Sequence, residues 1–501
     1  MPRLLALLFA LLLPLSPAAL SSAWAQGMQE LKVMTFNIWV GGDQVSMTKT
    51  LEAIQTSGAE VVLLQEPMGN TEKIADLLGW AYANPRLHII SQYPIFDAQG
   101  VTDAGGDFAY VELRPGRFVA VANVHLDWTD YGPYKARDGA TAEEIVAAEQ
   151  TRLAGIEPFI ASLEPLAASD MPVILGGDFN SPSSLDWTEA TVGSKPHIKF
   201  ALVWPASNAM IEAGYADSYR TVFPDPLADP GVTWSTGYPA PYQWENETQD
   251  RIDLLFSRNA QVTQSQLIGE AGAADVDIVV DPWASDHHAV VSTFDVVPLP
   301  GPSMIVAEPR RATPGEPVML RFNVAGTPDG RLENGTIEVL PAGAEAGKGN
   351  ALASMISNDT TDRFAVVEAA TYNLAPGLYD AAVVDGQGVE LARTSFTVVP
   401  EGAHPTIAVD KASYAPGETI VATVAAAPGN RFDWVAVYKA DTVSTTDYWT
   451  SVYTGSIVDG AITLDEAALG GPLEAGQWVV KLLRDDSYNA IAESAVFTVG
   501  P

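Results

Sequence analysis

The chain has 501 residues, 47% of them hydrophobic, and a formal net charge of −35 from 62 acidic and 27 basic side chains. That length exceeds one ordinary domain, and that apolar content excludes a disordered chain. The acidic balance argues against a dedicated nucleic-acid binder, whose footprint is basic, and the absence of cysteine excludes thiol nucleophiles and Cys-based metal sites.

Residues 1–25 read as a secretory signal peptide. Arg3 supplies the charged start, residues 4–15 are nearly all apolar, and Ala23-Trp24-Ala25 is a small-residue cleavage site. The apolar core is shorter than the roughly 20 residues that a membrane span needs. The mature chain is therefore expected to be exported, periplasmic or extracellular, and to have no transmembrane segment.

Residues 26–297 alternate strand-like and helix-like runs, as in a layered α/β domain. Residues 31–37, LKVMTFN, alternate with period two, whereas residues 61–64, 119–124 and 173–175 are short buried-type runs. Residues 143–163 have helical character with acids at the start. Polar residues recur at the ends of these runs: Asn37, Glu66, His125, then Asp178 and Asn180 in GGDFN, then Asp253, then Asp286 and His287. On an extended backbone Asp178 and Asn180 share one face. Ligand sites of α/β sheets lie beyond strand ends, so these sets are expected to meet in one cleft.

Carboxylates and amide oxygens are hard ligands, suited to Mg²⁺, Mn²⁺ or Ca²⁺. Glu66 is the leading candidate, with Asp178, Asn180 and Asp286 completing or neighbouring the site. A histidine can activate water when a carboxylate fixes its tautomer, which His287 and Asp253 fit. His125 can donate to phosphate oxygens as charge develops.

These segments, TFNIW, LLQE, NVHLD, GGDFNSP, DRIDLLF and SDHHAVV, resemble the endonuclease/exonuclease/phosphatase superfamily in order and spacing, over residues 30–295. The resemblance implies a four-layer α/β sandwich and a divalent-metal-dependent phosphoesterase. It also implies a role for each residue. Glu66 would be the principal metal ligand, Asn37 a metal-site or phosphate contact, and Asp286 a second ligand or orienting acid. His125 would bind phosphate, and Asp178 and Asn180 would orient nucleophile and phosphate. His287 would be the general base, with Asp253, or alternatively Asp250, as its partner. The family often has arginine where ISQYPI carries Gln92, and Arg or Lys where His288 stands, so the substitutes for positive charge would be Arg86, Lys135 and Arg137. Trp128, Tyr131 and Tyr134 follow His125 and would either stack on a ring of the substrate or pack their loop.

The substrate is expected to be a phosphate ester: nucleic acid, phospholipid headgroup or small molecule. Nuclease action is the main alternative. A sphingomyelinase would need an exposed apolar hairpin, and none is evident; an inositol-phosphate phosphatase stays open. The rival from another class is a non-catalytic binding protein, which should have lost polar site residues, yet every position is filled. His88, His197 and His404 match no motif and read as surface or packing residues.

Beyond residues 298–302, PLPGP, helical periodicity fades. Pro314 and Pro416, Gly377 and Gly476, and Phe396 and Phe497 recur at offsets of 102, 99 and 101 residues. An internal duplication follows, into two all-β, immunoglobulin-like sandwiches at 303–400 and 403–501. The linker predicts that they fold apart from the first region. DWVAVYKADT in the second loosely resembles accessory β-sandwiches found beside some phosphoinositide phosphatases. The tandem modules are expected to bind a surface ligand or protein, and the chain to be a monomer.

Overall fold

The computed structural model describes residues 27–97, 106–236, 247–356, 363–368, 374–430 and 432–500, so the signal-peptide reading lies outside the described residues. Two sheets form the first region. One runs, edge to edge, Val276–Val279, Ala260–Gly269, Ala289–Val296, Gln29–Asn37, Val61–Gln65, Ile89–Ser91 and Tyr82–Asn84. The other runs Ile95–Asp97, Ala109–Arg114, Arg117–His125, Val173–Asp178, Asp253–Arg258 and Ala216–Asp217.

Side-chain alternation sorts each strand between two cores. Leu31, Val33, Val61 and Leu63 of the first sheet meet Val119, Val121, Ile174 and Leu255 of the second. The opposite faces pack on helices. Met34, Phe36, Val62 and Leu64 cover Ala53, Ile54 and Ile74 of helices Met47–Ser57 and Thr71–Leu78. Ala120, Leu175 and Phe256 cover Ile156, Phe159 and Met210 of helices Gln150–Ala168 and Pro205–Glu212. The result is helix, sheet, sheet, helix: a four-layer α/β sandwich.

Two local expectations change. The period-two reading of residues 31–37 implied one wet face, but Val33 through Asn37 are all buried, because sheet covers one side and helices the other. The helix expected over 143–163 is two helices, Ala142–Ala148 and Gln150–Ala168. They meet at Glu149, which is wholly buried beside Arg152, 3.2 Å away.

Each later module is a pair of sheets around its own core. The first has a three-stranded sheet (Met304–Glu308, Pro317–Asn323, Phe364–Glu368) against a five-stranded one, and the second repeats that strand order with Thr406–Val409, Ile420–Ala425 and Gly460–Leu464. The larger sheet, five-stranded in the first module and six-stranded in the second, begins in each with a short edge strand paired in parallel, Arg311 to Thr397 and Ser413 to Thr498. Both modules are thus immunoglobulin-like sandwiches of one design. The linker and the first module touch the first region. Leu299 pairs with Phe118, and Met304 and Val306 enter the core that holds Phe118 and Phe159. Arg363 of the first module forms an ion pair with Glu112.

Candidate active site

The inner faces of the two sheets carry Asn37, Gln65, His125, Asp178 and Asp253 at one end of the sandwich. Register explains their meeting: Asn37 stands beside Gln65, and Asp178 stands beside both His125 and Asp253. Asp253 begins its strand while Asp178 ends one, since those strands are antiparallel. The two glycines before Asp178 allow the close approach. A Cβ on Gly176 would overlap the Leu255 side chain, and one on Gly177 would overlap the Val124 carbonyl.

Asp178 Oδ2 is the hub. It accepts a hydrogen bond from Asn37 Nδ2 at 3.1 Å, and lies 3.6 Å from His125 Nε2 and 3.7 Å from His287 Nε2. Asn37 Nδ2 also reaches Glu66 Oε1 at 3.2 Å, and the backbone N–H of Val40 donates to Glu66 Oε2 at 2.8 Å. Glu66 sits at φ 58°, a left-handed turn out of its strand. His287 Nδ1 lies 2.9 Å from Asp253 Oδ2. Asp253 takes that place because Asp250 is engaged elsewhere, 2.9 Å from both Trp187 Nε1 and His197 Nε2. Arg251, between them, is buried and bonds both Asp186 and Asp217, which anchors the segment.

His287 does not lie on the strand that follows it. Period two would carry it to the helix side with Ala289 and Val291. A bend at 285–287 turns it inward instead. Ser285 Oγ donates to the Asn37 carbonyl at 2.6 Å and accepts from the His287 backbone N–H at 3.1 Å. The Trp283 indole donates to the His287 carbonyl at 2.8 Å.

The site carries excess negative charge. Burial alone would push the His287 imidazolium down, but the carboxylates of Asp253, Asp178 and Asp286 outweigh it and hold the group up at about 10. Burial, against the pull of His287 and with the neighbouring Glu66 and Asp178 charges, pushes the Asp286 carboxyl up to about 6. Asp253 is raised too, first by burial and then by Asp178, and its Oδ1 is a buried oxygen with no hydrogen-bond partner. Such a donor set fits a divalent cation. The tightest group of ligand atoms among the described residues is Asp178, Asp253 and His287, within 4.8 Å of one another. The Asp253–His287 hydrogen bond uses Oδ2 and Nδ1, which leaves Asp253 Oδ1 and His287 Nε2 beside the Asp178 carboxylate.

Several expectations are corrected by this geometry. Asp178 and Asn180 are not an extended pair. Asn180 adopts φ 47°, its backbone N–H donates to Asp178 Oδ1 at 2.8 Å, and its Nδ2 donates to the Leu126 carbonyl at 3.0 Å. Arg86 is not a spare cation, because it is buried against Asp97 and Asp107. Lys135 and Arg137 pair with Asp130 and Asp138 at the surface. Gln92 lies at the opposite end of its sheet, where its N–H donates to the Glu60 carbonyl at 2.9 Å, so its departure from the family pattern does not touch the site. Tyr131 and Tyr134 pack edge-on, 5.0 Å between ring centres, and both meet Trp234, itself 6.2 Å from the His287 ring; Trp128 is 71% exposed. Sequence reasoning missed Trp234, which belongs to no motif. His88 and His197 are buried and paired with acids, and His404 is exposed.

His288 is the neighbouring histidine of the same segment. It is buried, 2.6 Å from Glu270 Oε2 through Nε2 and 2.8 Å from the Val232 carbonyl through Nδ1. Losing two buried hydrogen bonds costs about 1–3 kcal/mol. His288→Ala is expected to lower stability by that order in urea unfolding while activity per folded molecule stays near wild type.

Residues 34–287 match the Endonuclease/Exonuclease/phosphatase family. The chain belongs to that family, and is a hydrolase of phosphoester bonds with a divalent-metal-dependent class of site. It is similar to an uncharacterized protein of Caenorhabditis elegans, 30% identical over 294 residues, which is 53% of this chain and 92% of that protein. Among solved structures it is similar to an endonuclease/exonuclease/phosphatase from Beutenbergia cavernae (18% identity, TM-score 0.33, 74% of this chain and 100% of that one). Another is an AP endonuclease from Archaeoglobus fulgidus (14% identity, TM-score 0.33, 53% and 100%).

Proposed function

We propose that the chain is an exported phosphoesterase that cleaves a compact phosphate ester with water, using a divalent cation such as Mg²⁺, Mn²⁺ or Ca²⁺. The observation that carries this reading is the His287–Asp253 pair at 2.9 Å, whose other ring nitrogen faces Asp178 and, across it, His125. With Nδ1–H donated to Asp253, Nε2 is the base. It takes a proton from water as the water oxygen bonds to phosphorus and the ester oxygen leaves with its electron pair. Asp178 orients that water, and His125 donates to the phosphate oxygens. Asn180 acts through the Leu126 carbonyl, which steadies the backbone next to His125. Glu66 and Asp286, with Asn37 beside them, hold the cation, which when bound neutralises phosphate charge and stabilises the leaving oxygen.

A formal charge of −35 repels an extended polyanion, which favours a compact substrate. Nuclease action is the second reading, supported by the Tyr134–Trp234 wall beside His287, on which a base can stack. The test is a panel of DNA, RNA, bis(p-nitrophenyl) phosphate, phosphomonoesters and sphingomyelin, with Mg²⁺ and with EDTA. Hydrolysis of a small ester that EDTA abolishes and Mg²⁺ restores is expected. Activity confined to DNA or RNA would move the assignment to the second reading, and no metal-dependent hydrolysis of any member would refute both.

A further inference from the structure

The last β-sandwich reaches the loop that carries Glu66. Asp485 has no exposed surface, and its carboxylate is divided between two segments of the catalytic region: Oδ2 accepts from the Gly69 N–H at 2.6 Å, and Oδ1 lies 2.7 Å from His88 Nε2. Arg484 Nη2 donates to the Gly69 carbonyl at 2.8 Å, so both polar groups of Gly69 are taken by the module. The Phe432 ring lies 5.0 Å from the His88 ring. A side chain on Gly69, at φ 81°, would run into the Arg484 guanidinium, which explains glycine there.

Both segments lead into the site. Gly69 is three residues from Glu66, and Asn70 Nδ2 donates to the Gly41 carbonyl at 2.8 Å while the Gly41 N–H donates to the Glu66 carbonyl at 2.8 Å. The His88 carbonyl accepts from the Leu64 N–H at 2.9 Å and from Asn123 Nδ2 at 3.2 Å, and Asn123 is two residues before His125. Glu66, Met68 and Gly69 all have positive φ, so the loop is a sequence of conformations that side chains disfavour and that need outside support. The clamp is itself supported. Asp485 and Asp486 have φ 47° and 56°; Asp433 Oδ1 accepts from the Asp485 N–H at 3.1 Å, and the Trp434 indole donates to the Ser487 carbonyl at 3.2 Å. Asp433 and Trp434 open the DWVAVYKADT motif, which thereby holds the clamp in place against the catalytic region.

We infer that Asp485 of the last β-sandwich is a positioning residue for the catalytic site, fixing the Glu66–Gly69 loop and hence the metal-binding carboxylate across the boundary between modules. This rests on the proposed role of Glu66. Removing a direct outer partner of a metal ligand typically weakens metal binding about 10- to 100-fold, and a residue acting through Gly69 is expected at the lower end of that range. In the full chain, Asp485→Ala is expected to weaken Mn²⁺ binding, followed by the electron paramagnetic resonance signal of free Mn²⁺, by about that factor. Hydrolysis of bis(p-nitrophenyl) phosphate should then need correspondingly more Mg²⁺ and recover at high Mg²⁺. His88→Ala breaks the same contact without altering the last module, so it decides the matter if Asp485→Ala does not fold. The two changes together should weaken Mn²⁺ less than the product of their single effects. Folded variants that bind Mn²⁺ like wild type, in a wild type that is active, overturn the clamp and leave the functional reading standing. A wild-type chain that neither binds Mn²⁺ nor hydrolyses any ester overturns both.

Discussion

Replacing His287 by glutamine is expected to lower turnover by roughly 10²- to 10⁴-fold, the usual loss with a general base. Glutamine retains a donor toward Asp253, so the buried carboxylate is not left bare, and circular dichroism should report a native fold. Stability carries a sign of its own. The His287 imidazolium is held at about 10, above its ordinary 6.5. Its contribution to stability is therefore fully present below pH 6.5 and is lost as pH rises through about 10. The difference in melting temperature between wild type and His287→Gln should narrow across that window. The same charge balance shapes activity. Only neutral imidazole accepts a proton, so the rate should climb with pH through the neutral range. Asp253→Asn removes the carboxylate that most favours the imidazolium and should move the acidic limb of the pH–rate profile to lower pH, with a lower plateau because the tautomer is no longer fixed. An unshifted limb would separate Asp253 from the base. Full activity in His287→Gln would move the general base to another residue.

Glu66→Gln is expected to raise the Mg²⁺ concentration needed for half-maximal hydrolysis by at least about 10- to 100-fold, the range seen even for outer partners of metal ligands. The change keeps size and removes charge. It also spoils a match, since the two Glu66 oxygens accept from Asn37 Nδ2 and the Val40 N–H, and an amide would set one donor against another. A Mg²⁺ titration of the rate, with Mn²⁺ binding measured alongside, decides it. Unchanged binding would remove Glu66 from the metal site and shift attention to Asp178, Asp253 and His287, whose ligand atoms already converge.

Much of this molecule can be read one segment at a time. Runs such as residues 61–64 and 173–175 are apolar because they are covered on both faces, and their polar ends are where a site can form. Residue type alone marks Glu66, Asp178, Asp286 and His287 as oxygen ligands and a base, and the offsets near 100 residues mark a duplicated β-module, because both are written in local composition and spacing. Which groups meet was decided only by the tertiary structure. Asp250 and Asp253 are identical side chains near the same strand start, and strand register gives His287 to Asp253 while Trp187 and His197 take Asp250. The inward turn of His287 depends on Ser285 finding the Asn37 carbonyl, 248 residues away in sequence. The His88–Asp485 contact joins positions 397 apart. Periodicity reports which face of its own element a side chain takes. The partner on the other side belongs to a distant element, and its position follows from sheet pairing and module docking, which no local pattern encodes.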